Sequence, residues 1–301
     1  MDKRFKLNWT VKKSDHGKQL REFLREQDLS KSAITDVKFK GGALFVNGKE
    51  VTVRYHLKEA DWIEIYFPTE EPPAAMIVED FFLHILYEDE FLLVVNKPAG
   101  MNTIPSREHP TGSLANGLLG YYKQSGIYAT THIVTRLDRD TSGIVLIAKH
   151  RHIHHLLSMQ QKENQISRIY EALVEGIFDL ECGKIEEPIA RKSNSIIERV
   201  VNPNGQYACT YYRVISEFEK FSYLELRLIT GRTHQIRVHL SYLNHPLLGD
   251  DLYGGKTELI KRQALHCREL EFIHPVLQEK MNFFAPLPSD IENILKNSKP
   301  I

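Results

Sequence analysis

Charged side chains are concentrated in one short segment that runs directly into an apolar stretch. Residues 135–143 read TRLDRDTSG, and residues 144–148 read IVLIA. Arginines and aspartates at the end of a buried strand are costly unless they pair with one another or take part in chemistry. Taken alone, the pattern leaves two interpretations open: a salt-bridged turn, or a reactive site built on Asp138.

A second basic segment begins where another strand is expected to end. Residues 230–239 read TGRTHQIRVH, and a helix that opens there would place Thr233 and Arg237 one turn apart on the same face. An arginine in that position can pair with an aspartate through bidentate hydrogen bonds and keep it ionised at neutral pH. An aspartate held in this way is a competent nucleophile or base.

Segments of strand and helix character surround these two motifs. The expected strands lie at residues 92–95, 144–148, 170–174 and 223–228. The expected helices lie near residues 113–123, 150–162 and 233–243. Because strands outnumber helices and do not alternate with them regularly, we expect an α+β domain with a mixed, largely antiparallel sheet and flanking helices.

A proline-rich stretch separates a small N-terminal unit from the rest of the chain. Residues 68–75 read PTEEPPAA, a composition that interrupts helices and central strands and is typical of linkers. We therefore expect a module over residues 1–67, a linker over residues 68–80 and a larger domain over residues 81–301. Within the module, helical spacing is followed by a hairpin with Asn47-Gly48 at its turn.

Four lysines of this module lie on its second helix and around the hairpin: Lys31, Lys38, Lys40 and Lys49. They could form a basic edge that follows a phosphate backbone, or a solvated face that keeps a small domain in solution. The whole chain has 39 basic and 39 acidic residues, which argues against a protein that coats nucleic acid. Any nucleic-acid partner must therefore bind to local basic surfaces.

Residues that often bind metals do not have ligand spacing in this chain. Cys182, Cys209 and Cys267 are far apart, so neither a disulfide framework nor a zinc site is expected. The histidines at positions 150, 152, 154 and 155 have no cysteine or carboxylate at ligand spacing, which favours a solvated or RNA-facing helix over a metal site. No apolar run is long enough to span a bilayer, and we expect a cytoplasmic protein.

The motifs together resemble a known family. Residues 136–143 resemble the signature of the RluA-type pseudouridine synthases, and residues 230–239 resemble their C-terminal arginine motif. Four further segments match in the same order: NKPAGM at 96–101, YEALV at 170–174, HPLLGD at 245–250 and YGG at 253–255. The resemblance, from about residue 86 to 288, implies an isomerase that detaches a uridine base of RNA at nitrogen and rejoins it through carbon, without metal or organic cofactor.

The resemblance also implies roles for four residues. Asp138 would be the catalytic carboxylate, and Arg237 would pair with it. Arg136 would help to displace or replace the flipped base, and Tyr170 would stack on the uracil. Whether Asp138 attacks the uracil ring, attacks the sugar or removes a sugar proton stays open. Thr135 stands where the family usually has histidine, and we expect this departure to change local packing or RNA contact and not to abolish activity.

The N-terminal unit has a resemblance of its own. Residues 17–67 resemble the alpha-L RNA-binding motif found in a small-subunit ribosomal protein. We therefore expect a two-domain, monomeric or weakly associating cytoplasmic enzyme that acts on structured ribosomal or transfer RNA. The alternative is a non-catalytic RNA-binding or ribosome-assembly protein with a vestigial synthase domain, and the joint presence of Asp138, Arg136, Tyr170 and Arg237 argues against it.

Overall fold

Two separate sheets, each with its own hydrophobic core, organise the chain. The computed structural model describes residues 4–301, so residues 1–3 of the expected module lie outside the described part. A four-stranded sheet occupies the N-terminal part, and a ten-stranded sheet forms the centre of the remainder. The cores of the two sheets are distinct clusters of buried side chains, linked by partly buried residues such as Phe5 and Phe91.

The N-terminal unit contains two helices and four strands. In chain order these are β1 (Lys6–Thr10), α1 (Leu20–Glu26), α2 (Lys31–Phe39), β2 (Ala43–Val46), β3 (Lys49–Glu50) and β4 (Trp62–Tyr66). The sheet order is β1-β4-β2-β3, and every pair is antiparallel. Strand β1 is an addition to the helix-helix-hairpin arrangement that the sequence predicts.

Local sequence signals account for the second helix and the hairpin of this unit. The Ser30 side chain accepts a hydrogen bond of 3.1 Å from the backbone N–H of Ala33, which caps the start of α2. The turn between β2 and β3 is formed by Asn47 and Gly48, both with positive φ, at 50° and 74°. A two-residue turn of this kind requires such residues, so the predicted hairpin is confirmed.

The larger unit contains the other twelve strands and four helices. The strands are β5 (Ile85–Glu88), β6 (Leu92–Lys97), β7 (His132–Ile133), β8 (Ser142–Ala148), β9 (Ser167–Glu175), β10 (Cys182–Ile185), β11 (Ile189–Arg191), β12 (Arg199–Val201), β13 (Thr210–Glu217), β14 (Phe221–Leu228), β15 (Leu265–Ile273) and β16 (Lys280–Phe284). The helices are α3 (Leu114–Ser125), α4 (Arg151–Lys162), α5 (Gln235–Tyr242) and α6 (Ser289–Asn297).

The central sheet is mixed and largely antiparallel. Its main path runs β10-β13-β14-β9-β15-β8-β6-β5, with β16 beside β15 and β7 beside β8. Among the described strands, the pairing of β15 with β8 is the parallel one, and the other pairs of this sheet are antiparallel. All seven residues of β8 are buried, as expected for a strand in the middle of a sheet. The predicted α+β class is confirmed.

A charged cluster joins the two units. Glu70, whose side chain is only 5% exposed, accepts hydrogen bonds from His132 at 2.5 Å and from Arg151 at 2.9 Å. Arg151 also binds Asp36 of α2 at 2.6 Å. Burial opposes the charge of Glu70, but the hydrogen bond from His132 and the charges around it lower its pKa to about 2. The cluster therefore joins the linker, through Glu70, and α2, through Asp36, to the larger unit.

Histidines of α4 pack at the same junction. The His150 ring stacks on Phe5, with 4.2 Å between ring centroids, and the His152 ring stacks on Phe67 at 5.6 Å. Both histidines are buried, and burial lowers their pKa values to about 3 and 4. The prediction of a solvated or RNA-facing face is thus wrong for these two residues, because the N-terminal unit covers them.

Candidate active site

The loop that carries Asp138 connects β7 to β8 and is held from below. Thr103 donates a hydrogen bond of 2.7 Å to the carbonyl of Leu137 and accepts one of 3.2 Å from the Leu137 N–H. The N–H of Thr141 donates to the carbonyl of Asp138 itself at 3.2 Å. These contacts fix the backbone on both sides of Asp138, so the position of its carboxylate is determined by the loop and not by a flexible side chain.

Lys97 is buried beneath this loop. Its ammonium donates to three carbonyls, at 2.8 Å to Pro98, 2.7 Å to Met101 and 3.1 Å to Arg139. Burial lowers the pKa of Lys97 to about 7, whereas three acceptors match the three hydrogens of the charged form. Lys97 therefore ties the NKPAGM segment to the residue that follows Asp138.

Gly143 allows β8 to begin directly behind the loop. Its φ is +117°, and a Cβ at this position would lie 2.2 Å from the carbonyl oxygen of Cys267 on β15. Both the backbone conformation and the space exclude other residues. Gly143 and Cys267 are partners in the parallel pairing of β8 with β15. The close approach of these two strands lies directly behind the loop that carries Asp138.

Asp138 belongs to a chain of three charged groups. Arg237 Nη1 donates to Asp138 Oδ2 at 3.2 Å, and Arg237 forms two further hydrogen bonds of 2.7 Å with Asp250. Burial opposes the charge of Arg237, but hydrogen bonding to Asp250 raises its pKa. The Asp250 side chain is 0% exposed and that of Asp138 is 27% exposed, so only Asp138 is accessible to a ligand.

Helix α5, which carries Arg237, begins later than its sequence predicts. The first helical residue is Gln235, and His234 before it has a left-handed φ of 56°. Thr233 therefore lies outside the helix and does not share a helical face with Arg237, contrary to the expectation from spacing. The left-handed turn arises at His234, whose Nδ1 lies 2.8 Å from the Tyr253 hydroxyl.

His234 and Tyr253 complete the surroundings of the carboxylate. His234 Nε2 lies 3.8 Å from Asp138 Oδ2, and burial lowers the pKa of this histidine. The Arg237 guanidinium lies over the Tyr253 ring at 4.9 Å from its centroid, a favourable cation–π geometry. His234 is thus held by the Tyr253 hydroxyl and also lines the pocket.

A single pocket contains Asp138, Arg237 and Tyr170. It encloses about 410 Å³ of space, its open mouth included, and its apolar walls include Leu228 and Leu265. Tyr170 lies on the central strand β9 and is buried, and burial raises the pKa of its hydroxyl. The buried, neutral ring of Tyr170 and the partly exposed carboxylate of Asp138 thus line the same pocket.

Arg136 lies at the mouth of this pocket. It is exposed and also lines the adjacent groove, together with Arg191, Arg199 and Arg232. Among the described residues, none of these four arginines forms an ion pair with a carboxylate, and no acidic residue lines the groove. The groove is therefore strongly basic although the chain as a whole is neutral.

The four lysines of the N-terminal unit are all exposed. Lys31 and Lys38 lie on the solvent face of α2, and Lys49 lies on β3. Lys40 differs from the others because its ammonium binds Asp36 at 2.9 Å. Three of the four lysines thus present charge without an ion-pair partner in the part of the chain that the structure describes.

The remaining candidates for ligation have other roles. His239 is buried and contacts the Thr210 hydroxyl and the Glu187 carbonyl, each at 2.9 Å. All three cysteines are free. Across residues 4–301, no group of three or more His, Cys, Asp or Glu residues is arranged to hold a metal ion. Within the same range, no helix combines the length and the apolar character that crossing a membrane requires.

Two residues of the site were not assigned a role from sequence. Asp250 follows the apolar residues 247–249, and a carboxylate there needs a partner once it is buried. Arg168 precedes Tyr170 by two residues on β9, and alternation places both side chains on the same face of the sheet. The strand alternation that places Arg168 beside Tyr170 can therefore be seen in the sequence. The apolar residues before Asp250 suggest that it is buried, but they do not identify Arg237 as its partner.

Comparisons with known proteins identify the family. The model of the RNA pseudouridylate synthase family matches residues 91–242. The chain is 50% identical over 277 residues to the uncharacterized RNA pseudouridine synthase YjbO of Bacillus subtilis, covering 92% of this chain and 98% of that protein. It is 37% identical over 302 residues to ribosomal large subunit pseudouridine synthase D of Vibrio parahaemolyticus, covering 95% and 92% of the two chains.

A solved structure is similar as well. Human RNA pseudouridylate synthase domain containing 4 is 26% identical, covers 70% of this chain and 91% of its own, and superposes with a TM-score of 0.59. Family model, sequence relatives and fold agree with the motifs around Asp138. The chain belongs to the RNA pseudouridylate synthase family and is an isomerase that acts on RNA.

Proposed function

We propose that this protein converts uridine to pseudouridine in structured ribosomal or transfer RNA, with Asp138 as the catalytic carboxylate. One observation carries the assignment: Asp138 is held by Arg237 at 3.2 Å and faces the pocket that also contains Tyr170. A carboxylate held by a guanidinium has a fixed orientation, as a nucleophile or base must have. Asp250 binds the other side of Arg237 and fixes the orientation of the guanidinium toward Asp138.

Arg136 and Tyr170 each have a part in this reaction. A stacked base is inaccessible, and its extrusion costs a few kcal/mol that contacts with RNA must offset. Arg136, exposed at the mouth, occupies the space vacated by the flipped base or displaces it. Tyr170, neutral and buried beside Asp138, provides the ring on which the uracil stacks while it turns.

The bond changes of the proposed reaction include the loss of the hydrogen at C5, which can be measured. The bond from C1′ of the ribose to N1 of uracil breaks, and a bond from C1′ to C5 replaces it. Carbon C5 then loses its hydrogen to solvent as a proton, and N1 takes up a proton. Atoms balance without a co-reactant, and tritium placed at C5 is released once per turnover.

Two basic surfaces support binding of a folded RNA. The arginine groove beside the pocket lies where phosphates next to the flipped nucleotide would lie. We assign residues 1–67 as an alpha-L-type RNA-binding module, residues 68–80 as a linker and residues 81–301 as the catalytic domain. Lys31, Lys38 and Lys49 are the module's phosphate contacts, while Lys40 contributes less because Asp36 neutralises it.

Large-subunit ribosomal RNA is the first substrate to test. The support is the name of relatives such as ribosomal large subunit pseudouridine synthase D, which match along nearly the whole chain. We also propose a cytoplasmic monomer.

The catalytic assignment is tested by tritium release from RNA labelled at C5 of uridine. Wild-type protein should release tritium, and Asp138→Asn, which keeps the shape and removes the charge, should lower the rate by at least about 10³-fold. Asp140→Asn is the matched control, because Asp140 lies two residues away in the same loop and does not line the pocket. Equal release by wild type and Asp138→Asn would refute the role of Asp138.

The substrate is tested by mapping pseudouridines in RNA from cells with and without the gene. Loss of one or more sites in large-subunit ribosomal RNA is expected. Loss in transfer RNA alone would replace the first substrate by the second. If no site changes in either RNA, the alternative of a non-catalytic RNA-binding or ribosome-assembly protein is favoured.

A further inference from the structure

Arg168 is a mostly buried arginine of the active-site pocket whose guanidinium has no counter-ion among the residues that the structure describes. The residue is 9% exposed and lines the pocket together with Asp138 and Tyr170. Within residues 4–301, no carboxylate forms an ion pair with it and no acceptor forms a hydrogen bond with its guanidinium. Buried charges are normally paired, because an unpaired one is costly. The proposed reaction, as described above, gives Arg168 no task.

The other charged groups of the pocket already have partners. Arg237 binds both Asp250 and Asp138. Asp138 is therefore already paired with Arg237, and it does not act as the counter-ion of Arg168. The unsatisfied donors of Arg168 remain available to a ligand that carries acceptor atoms or negative charge.

Gly231 makes room for this guanidinium. A Cβ on Gly231 would lie 2.7 Å from Nη2 of Arg168. The glycine has no positive φ, so its role is not backbone freedom. The absence of a side chain at Gly231 instead leaves the space next to Nη2 of Arg168 free at the wall of the pocket.

We infer that Arg168 donates hydrogen bonds to the carbonyl oxygens of the flipped uracil and stabilises the negative charge that develops there. The inference rests on the proposed function. Arg168 and Tyr170 are two residues apart on β9 and face the same side, with about 6.6 Å between their Cα atoms. A uracil stacked on Tyr170 would thus present an edge to Arg168. The phosphates of the same nucleotide stay near the mouth, where the exposed Arg136 and Arg232 lie.

The charge on the base follows from the bond changes. When the C1′–N1 bond breaks, its electron pair stays with the uracil, and the charge spreads over N1 and the two carbonyl oxygens. The same anion then uses its ring electrons to form the C1′–C5 bond, and C5 loses its proton. Donors fixed in a water-poor pocket stabilise such charge more strongly than they bind the neutral base.

The experiment compares two RNA substrates, large-subunit ribosomal RNA transcripts made with uridine or with 5-fluorouridine. Fluorine withdraws electrons and stabilises the uracil anion, so the 5-fluoro base depends less on Arg168. Because C5 of 5-fluorouridine carries fluorine and no hydrogen, its reaction ends after the C1′–C5 bond has formed and no proton leaves C5. Conversion of either substrate is therefore followed as loss of the original nucleoside after digestion, under single turnover with enzyme in excess. Wild-type conversion must be seen first, and its absence would count against the proposed function and not against Arg168.

Arg168→Met should lower the saturated rate on uridine RNA by about 10²–10³-fold. On 5-fluorouridine RNA the rate loss should be smaller, by a factor of about five or more. Arg168→Lys should recover part of the rate, because charge is kept but the planar fork is lost. The dissociation constant for RNA should change by less than about three-fold. The melting temperature of Arg168→Met should equal or exceed that of wild type, since an unpaired buried charge is removed.

Three results would overturn the inference. The first is an equal rate loss on both substrates. The second is a weaker dissociation constant with a salt dependence reduced by about one ion and an unchanged saturated rate, which is the signature of a phosphate contact. The third is a lowered melting temperature, which would make Arg168 structural. Gly231→Ala, which displaces the guanidinium but keeps its charge, should reproduce the substrate-dependent rate loss in weaker form.

Discussion

Asp250 accepts two hydrogen bonds of 2.7 Å, from Nε and Nη2 of Arg237, and this leaves Nη1 as the nitrogen that contacts the catalytic loop. The bidentate geometry fixes the plane of the guanidinium. Asp250 lies behind Arg237 and is fully buried, so it does not meet the RNA. It acts on the reaction by holding Arg237 in the orientation that Asp138 requires.

Asp250→Asn should impair both stability and turnover. The amide keeps the shape but donates on one side, so Arg237 loses one of its two short hydrogen bonds and its buried counter-ion. We expect the free energy of unfolding to fall by about 3 kcal/mol, as when one partner of a buried pair is removed. Turnover of the remaining folded enzyme should fall by about 10²-fold through misplacement of Asp138. Urea unfolding and tritium release measure the two effects.

The control for this variant is Glu225→Gln. Glu225 also pairs with an arginine, Arg213, at 2.9 Å, but both side chains are exposed on neighbouring strands. The change should cost less than about 1 kcal/mol and leave turnover unchanged. Wild-type turnover in Asp250→Asn would show that Arg237 needs no second carboxylate.

Much of the fold is predictable because the elements bury continuous apolar faces. Strands β6, β8, β9 and β14 and helices α3 and α4 all lie where hydrophobic spacing predicts them. Strand β1 and helix α6 are not predicted, since each buries very little by itself: Leu7 in β1 and Ile291 in α6 are their fully buried residues. Their existence depends on the tertiary surface that they cover.

The site is less predictable because its pairings join distant parts of the chain. Spacing suggests that an arginine near residue 237 meets an aspartate, but it does not reveal that Asp250 competes for the same guanidinium. It also places the start of α5 two residues early, because the left-handed turn at His234 depends on the Tyr253 hydroxyl. The burial of His150 likewise depends on Phe5, which belongs to the other unit.

Lys97→Met should loosen the loop that carries Asp138. Three carbonyls lose their donor, and an unsatisfied buried acceptor is costly, so we expect the free energy of unfolding to fall by about 3 kcal/mol. The carbonyl of Arg139, next to Asp138, is one of the three. Turnover measured at saturating RNA should therefore fall by about 10-fold or more per folded molecule.

Lys149→Met separates the two effects in that experiment. Lys149 also has a mostly buried side chain and binds Glu88 at 2.6 Å, but it lies at the far end of β8 from the pocket. The Lys149→Met protein should be less stable than wild type, while turnover per folded molecule stays at the wild-type value. If the two variants lose turnover equally, Lys97 has no specific effect on the Asp138 loop.

Glu70→Gln should change how stability depends on pH. The folded-state pKa of Glu70 is about 2, below the ordinary value of 4.5. Its contribution is therefore complete above pH 4.5 and is lost as the pH falls from 4.5 towards 2. Wild type should exceed Glu70→Gln by about 3 kcal/mol at pH 5, from 1.36 kcal/mol per pKa unit, and the difference should shrink towards pH 2.

Urea unfolding at several pH values measures this difference, and Glu71→Gln is the matched control. Glu71 is the next residue, is exposed and forms no ion pair within the described chain, so its replacement should leave the pH dependence as in wild type. A difference between wild type and Glu70→Gln that stays constant from pH 5 to pH 2 would contradict the ionised contact at the junction of the two units.

Thr135→His, which introduces the residue usual in the family, should leave turnover within a few-fold of wild type. Thr135 is buried beneath the loop, and its hydroxyl accepts a hydrogen bond of 2.9 Å from the backbone N–H of Leu146. Thr135 thus provides the hydrogen-bond acceptor for the Leu146 N–H of β8, and it does not line the pocket. Thr135→Val keeps the shape but leaves that N–H unpaired, so it should lower the free energy of unfolding by about 1–3 kcal/mol with turnover per folded molecule unchanged. A gain of several orders of magnitude in tritium release by Thr135→His would mean that the threonine had disabled the site, because a change of packing alone does not produce such a gain.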